Sequence, residues 1–164
     1  MSADARAERI VAELARRGER IALAESLTGG LLTSAFVDVA GASAVVSGGV
    51  VAYATALKAA LLGVDAELLA TRGAIDADVA RQMAAGARER LALDGRPADY
   101  GLATTGVAGP DPQDGHGAGT VWIGIADAAG ASAELVRLAG DRDAIRRGSV
   151  GAALELLERR LGLA

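Results

Sequence analysis

Lys58 is the only lysine in a chain of 164 residues, against sixteen arginines. It stands in the stretch VVAYATALKAALLGV, from Val50 to Val64, where a strand-like run gives way to a helix-like one. Thr55 is placed to cap that helix, which puts Lys58 at its third position. An ammonium group is disfavoured at the positive end of a helix dipole, and a capping box would carry Glu or Gln there. That field lowers an amine's pKa, and burial lowers it further. A lysine neutral near pH 7 can act as a general base. The plain alternative is a solvated helix lysine that tolerates a small penalty.

A base needs a hydroxyl to act on, and AESLTGG, from Ala24 to Gly30, offers two. Ser26 or Thr28 could instead cap the helix that follows. That alternative leaves Gly29 and Gly30 unexplained, because glycine in a first turn costs up to ~1 kcal/mol against alanine. Glycine there would let a ligand reach free backbone N–H groups, as an oxyanion hole or phosphate cradle. Two further stretches suit an anion. The loop TTGVAGPDPQDGHGAG can form nests of N–H groups, or be a flexible surface loop. In GDRDAIRR, Asp141 reads as a helix cap and Asp143 can pair with Arg147. Arg142 and Arg146, four apart, share a face suited to phosphate or carboxylate, or merely a solvated one. His116 is the only histidine, so a histidine zinc site is excluded and a Ser-Lys or Thr-Lys pair is more natural than a triad. Glu25, Asp111 and Asp114 could hold Mg²⁺, but no spacing demands it.

These residues need elements to hold them. Asp4 is placed to cap a first helix with Ile10, Val11 and Leu14 on one face, ended by Gly18. Arg20 to Glu25 reads as a strand, and SLTGGLLTSAFVDVA as a turn and helix. AVVSGGVVAY reads as a strand in which Gly48 and Gly49 mark a bulge or a close backbone contact. A short helix ends at Gly63, Asp65 caps another, and DADVARQMAAGARERLA is an amphipathic helix capped by Asp76 or Asp78. DYGLATTGV is a strand, TVWIGIAD and ASAELVRLA form a hairpin around Ala129 and Gly130, and GDRDAIRRGSVGAALELLERRLG is the last helix. Helices alternate with strands before the hairpin. The expected fold is therefore a single three-layer α/β/α sandwich with a mixed, mostly parallel sheet.

Composition sets the class. Only Phe36, Tyr53, Tyr100 and Trp122 are aromatic, so small aliphatic residues and glycine must fill the core. A net charge of −4 argues against a nucleic-acid partner. No apolar run approaches the ~20 residues of a membrane span, so a cytoplasmic protein without a membrane partner is expected. The chain has no cysteine, which removes disulfides, thiolate metal sites and thiol nucleophiles.

The motifs AESLTGG, GGVVAYATALKAALLGV, TGVAGPDP, GTVWIGIA and GDRDAIRR, in this order and spacing, resemble the C-terminal domain family of the competence/damage-inducible protein CinA. That family includes stand-alone nicotinamide mononucleotide amidohydrolases. The resemblance implies a three-layer α/β/α fold. It also implies hydrolysis of the carboxamide of nicotinamide mononucleotide to nicotinate mononucleotide and ammonia, with no metal or organic cofactor. Longer relatives carry a further N-terminal domain. Many relatives read Tyr-Ser-Asn-x-x-Lys where this chain has YATALK, so Thr55 replaces an asparagine. The roles expected here are Ser26 as nucleophile, with Thr28 or Ser47 as alternatives, and Lys58 as base. Backbone N–H groups near Gly29 and Gly30 would take the oxyanion, and Tyr53 would stack on the pyridinium or orient Lys58. Thr105 and the loop from Gly106 to Gly109 would line the pocket, and Arg142 or Arg146 would hold the 5′-phosphate. The partner is a small mononucleotide, and a homodimer is expected. A non-catalytic nucleotide-binding or regulatory module is the alternative function.

Overall fold

Side chains alternate in size along the central strand, and that alternation builds the two halves of the core. In β1 (Ile21–Glu25), Ile21 and Leu23 belong to one apolar cluster, Ala22 and Ala24 to another. The structure is a computed structural model that describes residues 2–163. The larger side chains meet α1 (Ala3–Arg17), α2 (Leu31–Val37) and α6 (Arg142–Leu161). The alanines meet α3 (Thr55–Leu62), α4 (Ala66–Arg72) and α5 (Ala77–Arg90). Helices therefore cover both faces of the sheet, as the expected three-layer sandwich requires.

The remaining strands are β2 (Val46–Val51), β3 (Tyr100–Gly106), β4 (Thr120–Asp127) and β5 (Gly130–Arg137). Their order is β2-β1-β3-β4-β5. β1 pairs parallel with both β2 and β3, while β4 is antiparallel to β3 and to β5. Four of the five strands thus run one way, and only β4 opposes them. The expected hairpin is present, with Asp127 paired to Gly130.

The alanine face also carries glycine, and α5 presses onto it. A Cβ at Gly101 would lie 2.0 Å from the Ala84 carbonyl oxygen, and one at Gly124 would lie 2.1 Å from that of Ala80. The expected irregularity in β2 is real: register slips between Ile21 and Ala22, leaving Ser47 as the extra residue. A Cβ at Gly49 would strike the Thr33 side chain, so that glycine marks a close approach of α2.

Several caps differ from expectation. Ser2, not Asp4, caps α1 by accepting from the Ala5 amide. The side chain of neither Ser26 nor Thr28 caps α2, whose second and third amides bind Glu25 instead. Ala54 precedes α3 without a side-chain cap, so Thr55 is its first residue and Lys58 its fourth. Asp65, Asp76 and Asp141 cap α4, α5 and α6.

Candidate active site

The order β2-β1-β3 makes a topological switch point, since the chain leaves β1 toward one side and β3 toward the other. Crevices open at such points beyond the carboxyl ends of the strands. Here the ladders run on slightly past the strands. The Ser26 amide donates to the Thr104 carbonyl and the Ala52 amide to the Glu25 carbonyl. These bonds set Ser26 beside the residues that enter α3. A cavity of about 410 Å³ lies there, within the range of small-molecule sites. Ser26, Tyr53, Ile75, Thr105, Asp111 and Arg142 are among its lining residues.

Lys58 reaches back from α3 toward this crevice and is 1% exposed. Its Nζ lies 3.0 Å from Ser26 Oγ, 2.9 Å from the Ala52 carbonyl oxygen and 3.4 Å from that of Tyr53. Burial lowers its pKa from 10.5 to about 8, against the opposing pull of the Asp114 charge. The expected lowering is therefore present, but loss of water drives it rather than the helix terminus. A neutral amine has two N–H groups and one lone pair. Two carbonyls and one hydroxyl match that inventory, with the lone pair free for the Ser26 proton.

The turn from Ser26 to Gly30 is pinned on every side. The Glu25 carboxylate accepts from the amides of Gly30, Leu32 and Thr33 at 3.0, 3.0 and 2.7 Å, and from the Thr33 hydroxyl at 2.6 Å. The Gly29 amide donates to the Ser26 carbonyl. The N–H groups of Gly29 and Gly30 are thus occupied, and this corrects their expected role as oxyanion donors. Both glycines instead serve left-handed backbone, with φ of +59° and +103°. The Leu27 amide, by contrast, has no acceptor among the described residues, and Leu27 lines the cavity.

The other hydroxyls do not reach Lys58. Thr28 is fully buried and its Oγ1 pairs with Thr104 Oγ1 at 2.8 Å. Ser47 sits in the β2 irregularity, at the opposite end of that strand from Tyr53. Thr105 lines the cavity, and its hydroxyl donates to the Ala74 carbonyl at 2.6 Å. Gly106 and Gly109 line it as expected.

The two arginines separate. Arg142 lines the cavity and donates to the Gly109 carbonyl at 2.5 Å and the Tyr53 hydroxyl at 3.1 Å. Arg146 is turned to the main-chain carbonyls of Leu27 and Thr28, both at 3.0 Å, and is not a lining residue. It therefore does not fit the expected phosphate role. Tyr53 is 60% exposed and lines the cavity; its carbonyl faces Lys58 and its hydroxyl accepts from Arg142.

Among the described residues, no three His, Asp or Glu side chains cluster as a metal site would require. Glu25 is spent on α2, and Asp114 Oδ2 accepts from the Ala74 amide at 3.2 Å. Among the described residues no helix is long and apolar enough to cross a membrane. Sequence reasoning missed Ala74 and Ile75, which enter the cavity from the connection between α4 and α5. Their stretch, TRGAID, carries no chemical signal.

The family model described as CinA C-terminal domain matches residues 3–161. A CinA-like protein of Frankia casuarinae is 51% identical over 148 residues, covering 90% of this chain and 33% of that protein. A CinA-like protein of Geobacter sulfurreducens is 50% identical, covering 92% and 36%. The chain spans about a third of the length of these curated relatives. Among solved structures, the competence/damage inducible protein CihA from Agrobacterium tumefaciens superposes with a TM-score of 0.89 at 35% identity, covering 98% of this chain and 95% of that one. The competence damage-inducible protein A from Klebsiella pneumoniae superposes at 0.90 with 32% identity, covering 99% and 98%.

Proposed function

The chain belongs to the CinA C-terminal domain family, and on that premise we propose that it hydrolyses the carboxamide of nicotinamide mononucleotide to nicotinate mononucleotide and ammonia. The observation that carries this reading is the buried Lys58 amine, 3.0 Å from Ser26 Oγ and backed by two carbonyls. A structural lysine would be cheaper as a methionine or leucine; a base needs the lone pair.

In this mechanism Ser26 Oγ attacks the carboxamide carbon and its proton passes to Lys58 Nζ. The tetrahedral oxyanion takes the free Leu27 N–H, the amide directly after the nucleophile. A single donor of this kind is worth ~3 kcal/mol. The Lys58 ammonium then protonates the departing nitrogen, ammonia leaves, and the acyl group remains as an ester on Ser26. Water attacks that ester, Lys58 takes its proton, and nicotinate mononucleotide leaves as Ser26 regains its hydrogen. Tyr53, a lining residue, would cover the pyridinium ring, and cation–π attraction favours that contact. Arg142, a lining residue with N–H groups to spare beyond its two bonds, would take the 5′-phosphate.

The test is ammonia release from nicotinamide mononucleotide. Ser26→Ala and Lys58→Met should each lower kcat by at least ~10²-fold. Near-wild-type turnover in either variant would remove that residue from the mechanism. Tight binding of the nucleotide by the wild type without ammonia release would instead favour a binding module.

A further inference from the structure

We propose that Arg146 is a positioning residue for the Ser26 turn, holding the nucleophile in register with Lys58. This rests on the Ser26–Lys58 reading above. The guanidinium spans two successive carbonyls, with Nε to Leu27 and Nη2 to Thr28, each at 3.0 Å. A planar fork suits such a pair, and holding both fixes the tilt of two adjacent peptide planes. In a trans peptide the N–H points opposite to the C=O. Turning the Thr28 carbonyl toward α6 therefore turns the Gly29 N–H the other way, where it donates to the Ser26 carbonyl at 3.1 Å. That bond closes the turn that begins at the nucleophile.

Opposite charges hold opposite ends of the peptide dipoles. The Glu25 carboxylate takes the N–H groups of Gly30, Leu32 and Thr33, while Arg146 takes the carbonyls two and three residues earlier. Thr28 Oγ1, bonded to Thr104 Oγ1, ties the same turn to β3. Gly29 has a second reason to be glycine: a Cβ there would sit 3.3 Å from Arg146 Nη2, besides the strain of its positive φ. The turn, its glycine and its arginine form one device. Its output is the position of Ser26 Oγ.

Arg146→Ala should lower kcat for ammonia release by ~10²-fold, the cost of misplacing a reacting group by about 1 Å. KM should move less than ~3-fold, since Arg146 does not line the cavity. Guanidinium ion added to that variant should restore part of kcat. Arg146→Lys keeps the charge and one bond, and should fall between wild type and alanine. A second readout avoids the nucleotide altogether: the rate at which an alkyl fluorophosphonate labels Ser26 should fall in parallel. A KM rise with kcat retained would mean a phosphate clamp and overturn the inference, as would kcat and labelling both near wild type. If the wild type is labelled but releases no ammonia, the amidase reading fails while the labelling rates still decide the role of Arg146. A wild type that is neither labelled nor active removes the nucleophile and the inference together.

Discussion

At the residue scale, the proposed chemistry depends on whether Lys58 is neutral. Its amine is 1% exposed and titrates near 8 because burial penalises the charged form. The base form therefore grows as pH rises, and kcat/KM should climb tenfold per pH unit below about 8 and level off above it. Asp114→Asn removes the charge that opposes this lowering, so the climb should end at lower pH. Stability carries the same signature. The folded pKa of about 8 lies below the unfolded value of 10.5, so between them the unfolded chain binds more protons and stability rises with pH. Below about 8 the fold bears the full cost of the buried charge, ~3 kcal/mol for a shift of this size. Melting temperatures of wild type and Lys58→Met at pH 7 and pH 9.5 read this directly. The wild type should gain on the variant as pH rises, and a constant gap would contradict the lowered pKa. Lys58 was legible in the sequence through its rarity and its place at a helix start. Its burial was not, because α3 buries the side chain by tertiary packing.

At the element scale, the turn after β1 looked like a ligand cradle because it was rich in glycine and hydroxyl groups. The structure gives those glycines a conformational reason and spends their amides on Ser26 and Glu25. A local window shows that a helix needs a cap, but not that a strand residue five positions earlier will supply it. The sheet face against α5 was equally hidden. Gly124→Ala should cost ~1–3 kcal/mol by overpacking, because its Cβ would meet the Ala80 carbonyl at 2.1 Å. Gly151→Ala in α6 meets open space and should instead stabilise, by up to ~1 kcal/mol. Urea midpoints of the two variants should move in opposite directions. In sequence these are two glycines in apolar surroundings; only helix-to-sheet distance separates them.

At the scale of the whole molecule, the site gathers residues from three remote segments: Ser26 after β1, Lys58 in α3 and Arg142 in α6. The chain carries a net charge of −4, so its overall field would not favour the proposed anionic nucleotide, and local cations would have to. An arginine at the first position of α6 works against the helix dipole, a cost that a bound phosphate would offset. Arg142→Ala should raise KM for the mononucleotide by ~10-fold or more with kcat changed less than ~3-fold, and the wild-type advantage should shrink with added salt. Equal KM values at low salt would remove the phosphate role. By itself the sequence determined the alternation of helices and strands and hence the three layers. Periodicity, glycine stops and acidic caps are local signals, and they read correctly for α4, α5, α6 and the β4–β5 hairpin. It also singled out Ser26, Lys58 and Arg142 by residue type. Only the tertiary structure decided that Ser26 rather than Thr28 or Ser47 meets Lys58, and that Arg142 faces the cavity while Arg146 grips the turn. Those choices depend on strand order and on which way a long side chain folds across a helix end. Both are fixed by contacts between residues up to 119 positions apart, which no local pattern encodes.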